Sequence, residues 1–386
     1  MDRRITLREL PGPFKVSKIK VEGIAKYDID NAYPTRMERL IDASVTAKSA
    51  AAMLTRFLIG DGFENELLNK ISIGKDRFGR DLPLYSLLGS VCKSAAYFNG
   101  FYVRMQYNAD LKTVSLRKEN FKHCRFYEMD TQDNAAKIAV YNNWDRQKGI
   151  KYDKGAASKV DIYNANETAI LAQIKTAKGI EKWKGQIFFW FEDDDYIYPQ
   201  SLIDPVQYDA DTEKQVSMFK NGEIRRGFFA KNIIYHTEFD NQADADDFAD
   251  KLNQMVGGGH DYANMVVAGE FDADGKLKTG DNIHVEAIEQ NIDDKLFSTY
   301  ETSTTNNIRK AFHAIPQILI DYEDGKLGTT SGEALRQASE FYNTQTKDLR
   351  KQVAMSFKQI MSNWKDDMSN ETFNIKQLTL GTPVDV

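Results

Sequence analysis

The run Ile315-Pro316-Gln317-Ile318-Leu319-Ile320 leads into Gly325-Lys326-Leu327-Gly328-Thr329-Thr330-Ser331-Gly332. An apolar segment opened by proline thus empties into a loop of small residues. Beyond the loop, Leu335, Ala338, Tyr342, Leu349, Val353, Phe357, Ile360 and Trp364 recur on one stripe, which predicts a single amphipathic helix over 332–365. Before it, Ile292, Leu296, Tyr300, Ile308 and Phe312 stand at multiples of four residues and predict another helix, from Ile292 to Phe312. Two long helices joined by a small-residue loop constrain the chain strongly, because such a frame holds the loop out and points it at something. Taken alone, Gly325 to Gly332 also suits an ordinary flexible surface loop.

The rest of the chain alternates between helical and strand patterns. Residues 1–27 read as an arm with one short strand, and Asp30-Asn31-Ala32-Tyr33-Pro34 as a turn before a helix. Met37, Leu40, Ile41, Ala47, Ala51, Leu54 and Leu58 suit one or two helices, closed by Gly60-Asp61-Gly62. Pro83 starts a further helix that Asn99-Gly100 stops, and Phe101–Tyr107 is a strand. More strands are expected at 113–116, 124–128, 136–141, 159–164 and 187–191, which makes the first half an α+β domain with a mainly antiparallel sheet. A helix is expected over 205–221, and strands over 228–238, 263–269 and 282–288. A short helix over 244–255 completes a small β-α-β-β insert between two helices, and one more strand is possible near 373–380.

The order of these elements resembles the portal proteins of tailed bacteriophages. Asn31-Ala32-Tyr33-Pro34 followed by Arg36-Met37 is similar to an early turn in related phage proteins. Tyr97-Phe98-Asn99-Gly100-Phe101-Tyr102-Val103 resembles the helix–Gly–strand step that opens the portal wing sheet. Phe312-His313-Ala314-Ile315-Pro316 and Ser331-Gly332-Glu333-Ala334 resemble the two flanks of the portal tunnel loop. The resemblance implies an α+β subunit with an α/β wing (1–204), a stem helix (205–222), a small α/β clip (223–289) and a returning stem helix (290–315). It implies further a tunnel-loop region (316–331), a long wing helix (332–365) and a short tail (366–386) in place of a crown.

In function, the resemblance implies a non-enzymatic ring, dodecameric in the family, at one capsid vertex of the virion, assembled in the host cytoplasm. Double-stranded DNA would pass through it. The terminase large subunit, the head–tail connector and the major capsid protein would be its partners. Candidate channel residues are Lys326, Gly328, Thr329, Thr330 and Ser331, with Arg309 and Lys310 on the stem. Candidate docking residues of the clip are Glu238, Asp240, Asp244, Asp246, Asp247 and Asp250. Two other classes stay open: a phage connector or baseplate component, and a metal-dependent nuclease using Asp193-Asp194-Asp195.

Composition narrows these classes. The formal net charge of −6 argues against gripping nucleic acid over a large basic surface. No run of eighteen apolar residues is present, so no transmembrane helix and no membrane partner are expected, and Met1-Asp2-Arg3-Arg4-Ile5 lacks the apolar core of a signal peptide. Cys92 and Cys124 are too few for a disulfide framework and read as buried free thiols.

No cofactor is expected. Gly269 to Gly275-Lys276-Leu277 misses the phosphate-loop spacing and has Leu where the magnesium-binding hydroxyl belongs. The acids from Glu238 to Asp250 lack the fixed positions and closing Glu of a calcium loop. His123, His236, His260, His284 and His313 form no zinc-type pair, and no G-x-S-x-G elbow occurs. Lys347, Lys351, Lys358 and Lys365, with Arg350 beside them, read as a solvated helix face, a subunit seam or a DNA-facing patch.

Overall fold

The computed structural model describes residues 20–21, 23–28, 30–76, 78–129, 135–144, 157–192, 197–225, 232–236, 246, 264–268, 284–287, 294–321 and 331–380. The first elements are strands β1 (Lys20–Val21) and β2 (Ile24–Ala25) and helices α1 (Tyr33–Ala43), α2 (Val45–Ile59) and α3 (Glu66–Lys70). A hairpin of β3 (Ser72–Lys75) and β4 (Asp81–Pro83) leads to α4 (Leu84–Phe98). Strands β5 (Gly100–Tyr107), β6 (Thr113–Glu119), β7 (Cys124–Met129), β8 (Ala135–Val140) and β9 (Ser158–Ile162) follow, then α5 (Glu167–Thr176) and β10 (Gln186–Phe191). Next come α6 (Gln207–Arg225), β11 (Asn232–His236), β12 (Asn264–Ala268), β13 (His284–Ala287) and α7 (Asp294–Ala311). The last helices are α8 (Ser331–Gln345) and α9 (Lys347–Met361).

The chain divides into two compact units. One comprises residues 1–211 and 305–386, the other 212–304. The first is built on an eight-stranded sheet in the order β1-β2-β7-β8-β9-β10-β5-β6. Its pairs are antiparallel except β9 with β10. The crossover from β9 to β10 contains α5, as a parallel connection requires. Helix α2 packs on α4 and α9, and α1 packs on α2 and α4. Their apolar faces form one core with the sheet, including Leu54, Phe57, Leu88, Val103, Met105 and Phe357. The second unit has a three-stranded sheet, β12-β11-β13, with β11 parallel to β12 and antiparallel to β13. Within it, Lys220 of α6 is ion-paired with Glu301 of α7.

The helix-to-strand step after α4 follows from two residues. Asn99 caps α4 in the left-handed region at φ 57°. At Gly100 a Cβ would lie 2.6 Å from Phe191 Cδ1 and 2.9 Å from the Trp190 carbonyl oxygen, so only glycine lets β5 start this close to β10.

Several expectations are revised. The stripe over 332–365 is two helices, not one. Thr346 interrupts it: its buried Oγ1 donates to the Tyr342 carbonyl at 2.8 Å, and its backbone stands at φ −97°, ψ 3°. Ile308 in α7 and Phe312 just beyond its end are buried, but Tyr300 is 50% exposed. The strand expected near 373–380 is a single bridge from Ile375 to Phe63, with Phe373 edge-on to Phe63. Helix α5 and the β3–β4 hairpin have no counterpart in the sequence reading. The local signal for α5 is its cap, since Asn166 accepts from the Thr168 N–H at 2.8 Å. The helix expected over 244–255 lies outside the described residues except Asp246, which is helical and exposed.

Candidate functional site

The approach to the small-residue loop is built from the end of α7. His313 and Ala314 both take left-handed backbone, at φ 59° and 53°. This reversal is closed by the Ala314 N–H donating to the Lys310 carbonyl (3.2 Å) and the Ile315 N–H donating to the Arg309 carbonyl (3.1 Å). Consecutive left-handed residues other than glycine cost energy and persist only where their surroundings hold them. Here the surroundings are Phe312, Ile315 and Leu319, all buried in the core. Tyr342 of α8 adds a hydroxyl that donates to the Phe312 carbonyl at 3.0 Å, while its ring sits edge-on to Phe57 at 4.8 Å. Pro316 then opens a 3-10 turn, Gln317–Leu319, that packs on α8. Both flanks of the segment 322–330 are therefore tied to one core, through Leu319 before it and Tyr342 after it.

Around this turn, Arg309 Nη2 donates to Asn306 Oδ1 at 2.5 Å, and its Nε is buried without a partner among the described residues. Lys310 is exposed. Both cations occupy the last turn of α7, where a helix C-terminus favours positive charge. His313 Nε2 is also buried without a partner among the described residues, and burial lowers the pKa of this imidazole.

The other sequence candidates scatter. Lys326, Gly328, Thr329 and Thr330 lie outside the described residues, and Ser331 is the first residue of α8. Glu238, Asp240, Asp244, Asp247, Asp250 and Asp193–Asp195 also lie outside them. Lys347, Lys351, Lys358 and Lys365 are exposed. Arg350 is not part of that face. It is buried, and its Nη1 donates to the Phe57 carbonyl (3.2 Å) and Asn343 Oδ1 (3.1 Å). Cys92 and Cys124 are buried free thiols whose pKa values burial pushes up, which makes them poor nucleophiles. Among the described residues, no three His, Cys, Asp or Glu side chains are grouped so as to hold a metal ion, and no helix is long and apolar enough to cross a membrane.

Sequence reasoning missed the most connected polar residue, Arg125. It is 0% exposed. Nε donates to Asn31 Oδ1 (2.6 Å), Nη2 to the Asn31 carbonyl (2.7 Å), and Nη1 to the carbonyls of Lys122 (3.0 Å) and Cys124 (2.7 Å). The guanidinium also lies over the rings of Tyr27 and Trp144. Asn31, at φ 60°, accepts from the Tyr27 N–H as well, at 2.9 Å. Tyr33 stacks on Tyr27, and its hydroxyl accepts from the Ser201 N–H at 3.0 Å. The Asn31-Ala32-Tyr33-Pro34 motif is thus a joint binding the first helix to the sheet.

No protein-family model matches the chain, and no curated protein matches it. Solved structures do match. A chain of the neck of the empty gene transfer agent particle, computed with C6 symmetry, superposes with TM-score 0.51 at 11% identity, over 91% of this chain and 85% of that one. The fold is that of a gene transfer agent neck subunit. The neck of the native particle, computed with C12 symmetry, gives TM-score 0.50 at 9% identity, over 88% and 85% of the two chains. A weaker likeness, TM-score 0.37 at 8% identity over 77% and 83%, is to an HK97 family phage portal protein from Corynebacterium diphtheriae.

Proposed function

We propose that this chain is a portal protein, a subunit of a cyclic ring at one capsid vertex of a phage-like particle. The observation that carries this reading is the neck fold, shared over 91% of the chain. C12 symmetry of the native particle neck supports a ring of twelve copies. In this reading residues 1–204 with 332–365 are the wing, 205–222 and 290–315 the stem, and 223–289 the clip. The ring passes double-stranded DNA. Its clip, through the acids from Glu238 to Asp250, docks the terminase large subunit during packaging and the head–tail connector afterwards. Its wing meets the major capsid protein. The mechanism is steric and electrostatic, with no bond made or broken.

The loop supplies the surface that DNA slides past. Lys326 is its one base, against Asp321, Glu323 and Asp324, and the small hydroxyls of Thr329, Thr330 and Ser331 offer weak, adaptable contacts to phosphates. Such a surface does not stall a moving duplex. The test is nuclease-protected DNA in particles made with the chain, without it, and with Gly328→Pro. Particles lacking the chain should protect no DNA. Gly328→Pro should leave ring assembly intact and reduce protected DNA. Full protection in particles without the chain contradicts the reading.

A further inference from the structure

A cavity lies on the body of the first unit. The β3–β4 hairpin approaches β6 so closely that a Cβ on Gly74 would sit 2.7 Å from Ser115 Oγ. Gly74 stands at φ 137°, which glycine alone adopts readily. Hairpin and sheet thereby enclose a half-open cavity of about 550 Å³. That volume is in the range of small-molecule sites.

Its walls carry an unusual charge arrangement. Arg104 of β5 and Arg117 of β6 are directly opposite each other in the register. Like charges at such a pair are unfavourable unless something neutralises them. Glu119 pairs with Arg104 Nη1 at 3.2 Å, and Arg104 Nε and Nη2 reach the Lys184 carbonyl at 3.3 and 3.2 Å. The other acid, Asp76, is wholly engaged by the hairpin tip. Its Oδ1 accepts from the N–H groups of Phe78 and Arg80, and its Oδ2 from Arg80 Nε. Each acid in the cavity therefore already has one arginine. Arg117 and Lys75 remain, both exposed to the cavity and without an ion pair among the described residues.

We propose that this cavity binds a phosphate group. Lys75, Arg104 and Arg117 come from three different strands, and Ser115 adds a hydroxyl donor. Cationic donors arriving from several directions suit a tetrahedral oxyanion better than a planar carboxylate, and guanidinium forks hold phosphate oxygens in pairs. The group belongs either to a free phosphate or phosphate monoester, or to the backbone of a duplex.

The experiment uses the intact protein and Arg117→Ser, with Lys112→Ser as a control that removes an exposed cation elsewhere. Inorganic phosphate is titrated calorimetrically at fixed ionic strength, and a short DNA duplex is titrated separately. Arg117→Ser should weaken phosphate binding by about tenfold or more, the loss expected for one charge-assisted contact, while Lys112→Ser binds like the parent. An Arg117-dependent signal with phosphate alone assigns the site to a free phosphate or monoester, and one with the duplex assigns it to the backbone. No binding in the parent, or equal binding by the parent and Arg117→Ser, overturns the proposal.

Discussion

Arg125 directs its donors to the carbonyls of Asn31, Lys122 and Cys124, and its guanidinium lies over the rings of Tyr27 and Trp144. Burial lowers its pKa, with Tyr198, Tyr102, Tyr27 and Cys124 acting in the opposite direction. Arg125→Met would leave those carbonyls buried and unpaired, and should cost about 3 kcal/mol in urea unfolding. Arg125→Lys should recover only part, because an ammonium cannot reach four acceptors in one plane. An unchanged midpoint for Arg125→Met would remove the joint from this account. Gly100→Ala should cost about 1–3 kcal/mol by the same measurement, since the new methyl meets Phe191 and the Trp190 carbonyl. Of these two sites only Asn99-Gly100 is legible in the sequence, because a left-handed stop has a residue signature. A lone arginine between Cys124 and Phe126 reads equally well as exposed or buried; its side-chain acceptor, Asn31, is 94 residues away.

At the scale of elements, periodicity found most helices and strands but missed α3, α5 and the interruptions. The apolar stripe from Leu335 to Trp364 is real, and Tyr342, Leu349, Val353, Phe357, Ile360 and Trp364 are all buried. The break at Thr346 escapes it, because one residue leaving the helical backbone, at φ −97° and ψ 3°, does not change the period of the apolar stripe. The turn after α7 has the same character. Phe312-His313-Ala314-Ile315-Pro316 announces a stop, but not two left-handed residues in succession. Ala314→Gly should therefore stabilise the protein by about 0.5 kcal/mol in thermal unfolding, strain relief exceeding the added entropy of the unfolded chain. A loss of stability would show that the turn is not strained.

His313 in that turn should make stability pH-dependent. Its folded pKa is lowered by burial, so the unfolded chain binds the proton more readily. Its contribution is complete above the unfolded value of about 6.5 and declines as pH falls through that value towards the folded one. His313→Asn, which tolerates left-handed backbone, should narrow the difference in melting temperature between neutral and mildly acidic buffer. An unchanged difference would exclude His313 as the source.

For the whole molecule, the order of elements proved more informative than any motif. None of the short matches is specific, yet together they pointed to a portal-like α+β subunit, and the fold is shared with a gene transfer agent neck chain over 91% of the length. What the sequence could not supply is the surface chemistry that depends on register, such as Arg104 opposite Arg117. In the proposed function, copies of this chain close into a ring around a hole. Negative-stain electron microscopy of the purified protein, with a mass measurement on the same sample, tests it directly. Rings with a central channel and a mass near twelve subunits are the predicted result. A compact oligomer without a channel, or monomers alone at high concentration and in particle preparations, would contradict it.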